Sequence, residues 1–256
     1  RGDTLPYNLF AKRAHFSNWA CLAFMHVKEE VIPDEHPVLA QLREEGCSII
    51  RTPDVHWGVF MQYLAPLLVS HYKHLAILLD DVLLPDKGQH PINVPLLLNQ
   101  LREFNLSAIS PSVGGASHRN IIPGGNYTEQ NCLTSVEFIE TFLQIFTNDA
   151  WNTYYPMLHY GGGRGFCYDT CFKVLNPSIR LAVDYSQAAW HLQQNVPQSI
   201  LDVHKGSDFP PIISIPKNGS FYSTGIKTAF RLCKKHRCNR EGMYKQSILK
   251  CAPNRH

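Results

Sequence analysis

Apolar residues in the earlier part of the chain fall into short blocks whose period switches between continuous and helical. The run Leu75-Ala76-Ile77-Leu78-Leu79 has no polar interruption and passes directly into Asp80-Asp81. A continuous apolar block bounded by charge predicts a strand buried on both faces, as in parallel sheets covered by helices. Further blocks at residues 16–26, Cys47–Arg51, Ser107–Ser110 and Ile179–Val183 predict more strands. Between them, helical spacing runs from Val38 to Glu45 and stops at Gly46, from Trp57 to His71 with a kink at Pro66, and from Val94 to Phe104. This alternation predicts an α/β fold with a mainly parallel central sheet flanked by helices.

The later pattern is less regular. Residues 111–133 are rich in glycine, proline and polar side chains and read as a long loop. Val136-Glu137-Phe138-Ile139-Glu140 alternates as a strand, and Asn148 or Asp149 is placed to cap a helix. His159-Tyr160-Gly161-Gly162-Gly163-Arg164-Gly165 then leads into a helical stretch through Leu175. Beyond Pro197 the pattern dissolves, so residues 1–200 are expected to form the α/β domain and 201–256 an irregular, basic, cysteine-containing extension. Arg1-Gly2-Asp3-Thr4-Leu5-Pro6 reads as loop, and the usual first strand of such a domain is expected outside this stretch.

Composition narrows the classes. A chain of 256 residues, 44% hydrophobic and 18% charged, can bury a sizeable core. The net charge of +3 makes no general case for nucleic-acid binding. Positive charge is crowded between Lys227 and Arg255 against one acid, Glu241, and reads as a solvated surface. No stretch approaches the ~18 apolar residues of a membrane span, and nothing at Arg1 reads as a signal peptide. The 8 cysteines form an even set, with Cys233 and Cys238 spaced as a small disulfide staple. Cys167 and Cys171 lie one helical turn apart, which suits a mutual disulfide poorly, and no cysteine or histidine spacing suggests structural zinc. Glycosylation sequons stand at Asn105-Leu106-Ser107, Asn126-Tyr127-Thr128 and Asn218-Gly219-Ser220, and with the cysteines they favour a secretory lumen.

The candidate chemistry starts at Asp80 and Asp81. Carboxyl ends of strands are the ligand-binding edge of open α/β sheets, and two adjacent carboxylates there either invite a divalent metal or simply end the strand in a turn. Glycines at 163 and 165 would let the backbone approach a ligand. The cluster is neither a Walker loop nor a dinucleotide fingerprint. Asp169 is either an active carboxylate or a helix residue paired with Lys173 at i+4. His191, seven residues beyond Asp184, is either a metal ligand or a buried structural histidine.

Residues 16 to 192 resemble GT-A nucleotide-sugar glycosyltransferases, and among them plant and algal groups of that fold. Three features carry the resemblance in order: Ile77-Leu78-Leu79-Asp80-Asp81-Val82 in the place of the Asp-x-Asp motif, Gly163-Arg164-Gly165-Phe166-Cys167-Tyr168-Asp169 as the glycine-aromatic loop before an acidic residue, and Val183-Asp184 with His191. The first matches a looser x-Asp-Asp form, because Val82 stands where a third acid would be. The resemblance implies a GT-A-like (Rossmann-like) domain and an inverting hexosyl- or pentosyltransferase of the Golgi lumen, a disulfide-bonded glycoprotein. It implies Mn²⁺ or Mg²⁺ held by Asp81 and His191, donor contacts from Asp80, Asp81, Gly163, Arg164 and Gly165, and Asp169 as general base. The partners implied are a nucleotide-sugar donor and a glycan or glycoconjugate acceptor. Two rivals remain: a non-catalytic carbohydrate or nucleotide-sugar binding protein on the same fold, and, lower, a metal phosphoesterase.

Overall fold

The computed structural model describes residues 19–25, 32–51, 57–79, 82–85, 92–114, 132–158, 168–191 and 247–251. The first described unit is strand, helix, strand: β1 (Cys21–Met25), α1 (Pro37–Glu44) and β2 (Cys47–Arg51). The His36 side chain accepts from the Val38 N–H at 3.3 Å, and Pro37 opens the helix where its missing N–H costs nothing. Gly46 follows the helix with φ +85°, a left-handed position that favours glycine. β1 and β2 pair in parallel with Cys21 opposite Cys47, and a disulfide joins that pair. Leu39 and Leu42 of α1 are fully buried against this unit.

The single kinked helix expected from Trp57 to His71 is two pieces, α2 (Trp57–Gln62) and α3 (Pro66–Val69). Pro66 cannot donate to a preceding turn, so the helix stops and restarts there. β3 (His74–Leu78) follows, then a two-residue strand, β4 (Val82–Leu83). α4 (Val94–Glu103) is capped by Asn93, whose side chain accepts from the Leu96 N–H at 3.1 Å. β5 (Ala108–Gly114) extends into the segment expected to be loop.

The strand expected at 136–140 lies earlier, as β6 (Cys132–Val136), and a second strand, β7 (Leu143–Thr147), comes after it. Thr147, rather than Asn148 or Asp149, caps α5 (Asn148–Tyr154), its hydroxyl accepting from the Ala150 N–H at 3.2 Å. α6 (Tyr168–Leu175) is followed by β8 (Leu181–His191), far longer than the expected strand ending at Val183. β9 (Ser247–Cys251) pairs with β6.

The described strands form the β1·β2 pair and a 7-stranded sheet with the order β3-β7-β5-β8-β6-β9, β4 lying against β8. Within the larger sheet β5 and β8 are parallel, while β3·β7, β5·β7, β4·β8, β6·β8 and β6·β9 are antiparallel. The described residues therefore form a mixed α/β architecture with a mostly antiparallel central sheet; the expected mainly parallel, Rossmann-like arrangement is not seen among the described strands. β3, β5 and β8 share one direction, but β7 enters between β3 and β5 running the opposite way, and β6 runs against β8 on its other side, so most neighbours in the sheet are antiparallel. The continuous run expected to be buried on both faces instead forms β3, which ends the order of described strands with only Ile77 of its residues buried, whereas β5, with its interrupting proline, is buried along its length.

The core centres on Trp151, Tyr154, Phe146, Phe172 and Tyr168, all almost fully buried. Phe172 meets Tyr154 edge-on at 4.9 Å, a favoured aromatic geometry. The Trp151 indole N–H donates to the Leu64 carbonyl at 2.7 Å, which ties α5 to the segment between α2 and α3. Pro111 interrupts β5 and is accommodated by a shift in register: Pro111 pairs with Asp184, and the next residue, Ser112, pairs with Ala188.

Candidate functional site

Strand β3 runs antiparallel to β7, with Leu78 opposite Leu143, so the carboxyl end of β3 lies at the start of β7. Just beyond, the Leu79 N–H donates to the Phe142 carbonyl at 3.0 Å. Asp80 and Asp81 lie outside the described residues, but their neighbours on either side are joined, the Val82 N–H donating to the Leu79 carbonyl at 3.3 Å. Val82 is fully buried and pairs directly with His191, the last residue of β8. The buried imidazole of His191 lies against the Phe142 ring, centroids 4.3 Å apart and tilted by 30°. Leu79, Val82, Phe142 and His191 thus meet at one end of the sheet.

A second group of side chains stands on the turn that leads into β7. Lys173 of α6, the expected i+4 partner of Asp169, donates to Glu137 Oε1 at 2.8 Å and to the Val136 carbonyl at 3.3 Å. These bonds clamp α6 onto residues 136–137, and Asp169, one helical turn earlier on the same face, lies towards Glu140. Both carboxyls are buried, Glu140 at 5% and Asp169 at 6% exposure. Burial first, and then the nearby charge of Asp169, push the Glu140 carboxyl well above the usual carboxylate range. Glu140 therefore keeps its proton at pH values where surface acids have lost theirs.

Asp184 serves a different purpose. Its carboxylate is buried and accepts from Gln100 Nε2 at 3.0 Å, Gln187 Nε2 at 2.8 Å, the Ser186 N–H at 3.0 Å and the Ser186 hydroxyl at 2.6 Å. The Gln187 side-chain oxygen accepts in turn from the Asn93 N–H, and the Gln187 carbonyl accepts from Ser112 Oγ at 2.8 Å. This network fixes the irregular part of β8 against α4 and β5, upstream of His191. With its lone pairs committed to these donors, Asp184 is a structural carboxylate.

Of the residues singled out in the sequence, Asp169 and His191 are described, and Asp80, Asp81, Gly163, Arg164 and Gly165 lie outside the described residues. No group of three or more histidine, cysteine, aspartate or glutamate side chains positioned to hold a metal occurs among the described residues. Glu140 was not among the residues singled out. The signal for it was present: Phe142-Leu143-Gln144-Ile145-Phe146-Thr147 reads as a strand in its own right, and that reading puts Glu140 in the turn at its mouth.

Comparison with protein-family models and with curated proteins finds no match to this chain.

Proposed function

We propose that the chain is a metal-dependent glycosyltransferase that moves a hexose or pentose from a nucleotide-sugar donor to an acceptor hydroxyl with inversion. The observation that carries this reading is the pairing of Val82 with His191, because Asp80 and Asp81 immediately precede Val82. Carboxylates beside one imidazole make a donor set that suits Mn²⁺, or Mg²⁺ with more of its ligands from phosphate and water. Held by Asp81 and His191, such an ion would offset the negative charge on the leaving diphosphate.

The rest is asked of the chain itself. Phe142 and Val82 supply apolar walls that keep water from the histidine. Asp80, Arg164 and the backbone at Gly163 and Gly165 bind the donor. A carboxylate oxygen of Asp169 takes the proton of the acceptor hydroxyl as that oxygen attacks the sugar carbon. The proton held on Glu140 keeps the second carboxyl neutral, so that Asp169 remains the anion of the pair. The Cys21–Cys47 disulfide and the three sequons favour an oxidising secretory compartment, the Golgi lumen in this reading.

The test is a thermal-shift screen of nucleotide sugars with and without Mn²⁺, followed by an assay for nucleoside diphosphate release. A metal-dependent shift with at least one donor, abolished in His191→Ala, is expected; no shift with any donor would remove the reading. The second reading is a non-catalytic nucleotide-sugar binding protein on the same fold. It is favoured by Val82, which is fully buried in β4 and offers no ligand in the third position of the motif. A donor-dependent shift without diphosphate release would favour it.

A further inference from the structure

We infer that Asn105 is a site of N-linked glycosylation, and that the fold closes this site once β5 docks on the segment before β8. Asn105 directly follows the C-cap residue of α4, Phe104, is exposed, and has φ +48°. Asparagine tolerates this left-handed conformation better than most residues with a side chain. The next residue, Leu106, is buried and pins the turn, so the Asn105 amide projects from a fixed base.

The hydroxyl of the sequon has a different fate. Ser107 Oγ accepts from the Arg180 N–H at 3.1 Å, and the Ser107 N–H donates to the Arg180 carbonyl at 2.7 Å. Its own carbonyl accepts from the Thr147 N–H at 2.9 Å and from Thr147 Oγ1 at 3.2 Å. In the folded protein the tripeptide is fixed at Ser107 by Arg180 and Thr147 and at Leu106 by burial. Its Ser107 partner Arg180 lies 73 residues later in the chain, so during synthesis the tripeptide emerges before the residues that immobilise it. The modification therefore precedes folding of this part of the sheet.

In the transfer step, the Asn105 side-chain nitrogen bonds to C1 of the first sugar of a lipid-pyrophosphate-linked oligosaccharide. The bond from C1 to the pyrophosphate oxygen breaks, the lipid pyrophosphate leaves with the electron pair, and the amide gives up one proton. The glycan does not obstruct the candidate site: Ser107 lies beside Thr147 at the far end of β7 from Leu143, about 14 Å away at ~3.4 Å per residue. This inference rests on the secretory part of the proposed function.

The experiment is expression of the full chain in a eukaryotic secretory host, with glycopeptide mass spectrometry before and after peptide-N-glycosidase. A glycan on the Asn105 peptide is expected, lost in Asn105→Asp, which keeps a residue that tolerates positive φ. A bare Asn105 with Cys21 and Cys47 disulfide-bonded would overturn the site alone; a bare Asn105 with both cysteines reduced would overturn the compartment reading with it. For the timing, unglycosylated protein refolded with its disulfides is offered to microsomes with the lipid-linked donor, beside a peptide of residues 102–110. The peptide should be modified and the folded protein should not; equal modification of both would overturn the closure.

Discussion

Replacing Glu140 by glutamine should make the protein more stable at neutral pH, by a margin that grows as the pH rises. Glu140 is buried beside Asp169, and its carboxyl holds its proton to well above the ordinary glutamate value of 4.5. In the unfolded chain the same group ionises near its ordinary value. Between those two points the native state binds a proton that the unfolded state has released, so the stability present below pH 4.5 is lost progressively as pH rises to the folded value. The slope of that loss is at most one proton, about 1.4 kcal/mol per pH unit. Glutamine occupies nearly the same volume, can donate a hydrogen bond as the protonated acid does, and does not titrate. For a chain of this size each kcal/mol moves the melting temperature by about 2 to 4 °C, so the two proteins should separate by about 3 to 6 °C per pH unit through the window. Melting curves at half-unit steps from pH 4 to 8 measure it directly. A constant offset between the two curves would mean that Glu140 is not held protonated in the fold. In Asp169→Asn the window should shorten and not vanish, because burial is the larger cause of the shift.

Other consequences are more local. Cys21→Ser with Cys47→Ser releases a loop with a sequence separation of 26 and should lower stability by about 3.5 kcal/mol, read from urea unfolding of the oxidised parent and the variant. Asp184→Ala leaves four donors facing a carboxylate that is gone and should cost about 3 to 5 kcal/mol. The same unfolding assay reports it, and an unchanged midpoint would contradict the network. Asp169→Asn should depress turnover by about 10²- to 10⁴-fold, with donor binding nearly intact; parallel rate and thermal-shift measurements separate the two.

Helix ends were legible where glycine or proline constrains the backbone, though not at α5, where Thr147 rather than Asn148 or Asp149 is the cap. Gly46 falls just past the end of α1 and Pro66 at the start of α3, as backbone constraints require. The apolar run before Asp80 did form a strand, and α4 followed at its expected place. Strand direction and partnership were not legible, because they depend on residues far away. Nothing local to Val82 announces that it pairs with His191, and nothing in Leu133 announces Lys250. Glu140 was missed through a frame error: Val136–Glu140 alternates as well as β6 does, and only the long-range pairing of Val136 with Leu181 selects between them. The two carboxyl roles were separable only by hydrogen-bonding environment, since Asp184, with its ring of donors, and Asp169, beside another acid, look equivalent as letters.

The break in register at Pro111 bears on how the chain avoids a wrong alignment. Parallel neighbours of similar apolar character can slide past one another by two residues and still bury the same face. In β5 such a slide would bring a residue without an N–H against a carbonyl that needs one, and would pull Ser112 away from the Gln187 carbonyl and Gln100, which leads into β5, away from Asp184. One imino acid and one irregular stretch opposite it therefore act together as an index mark, leaving a single frame in which β8 delivers His191 opposite Val82.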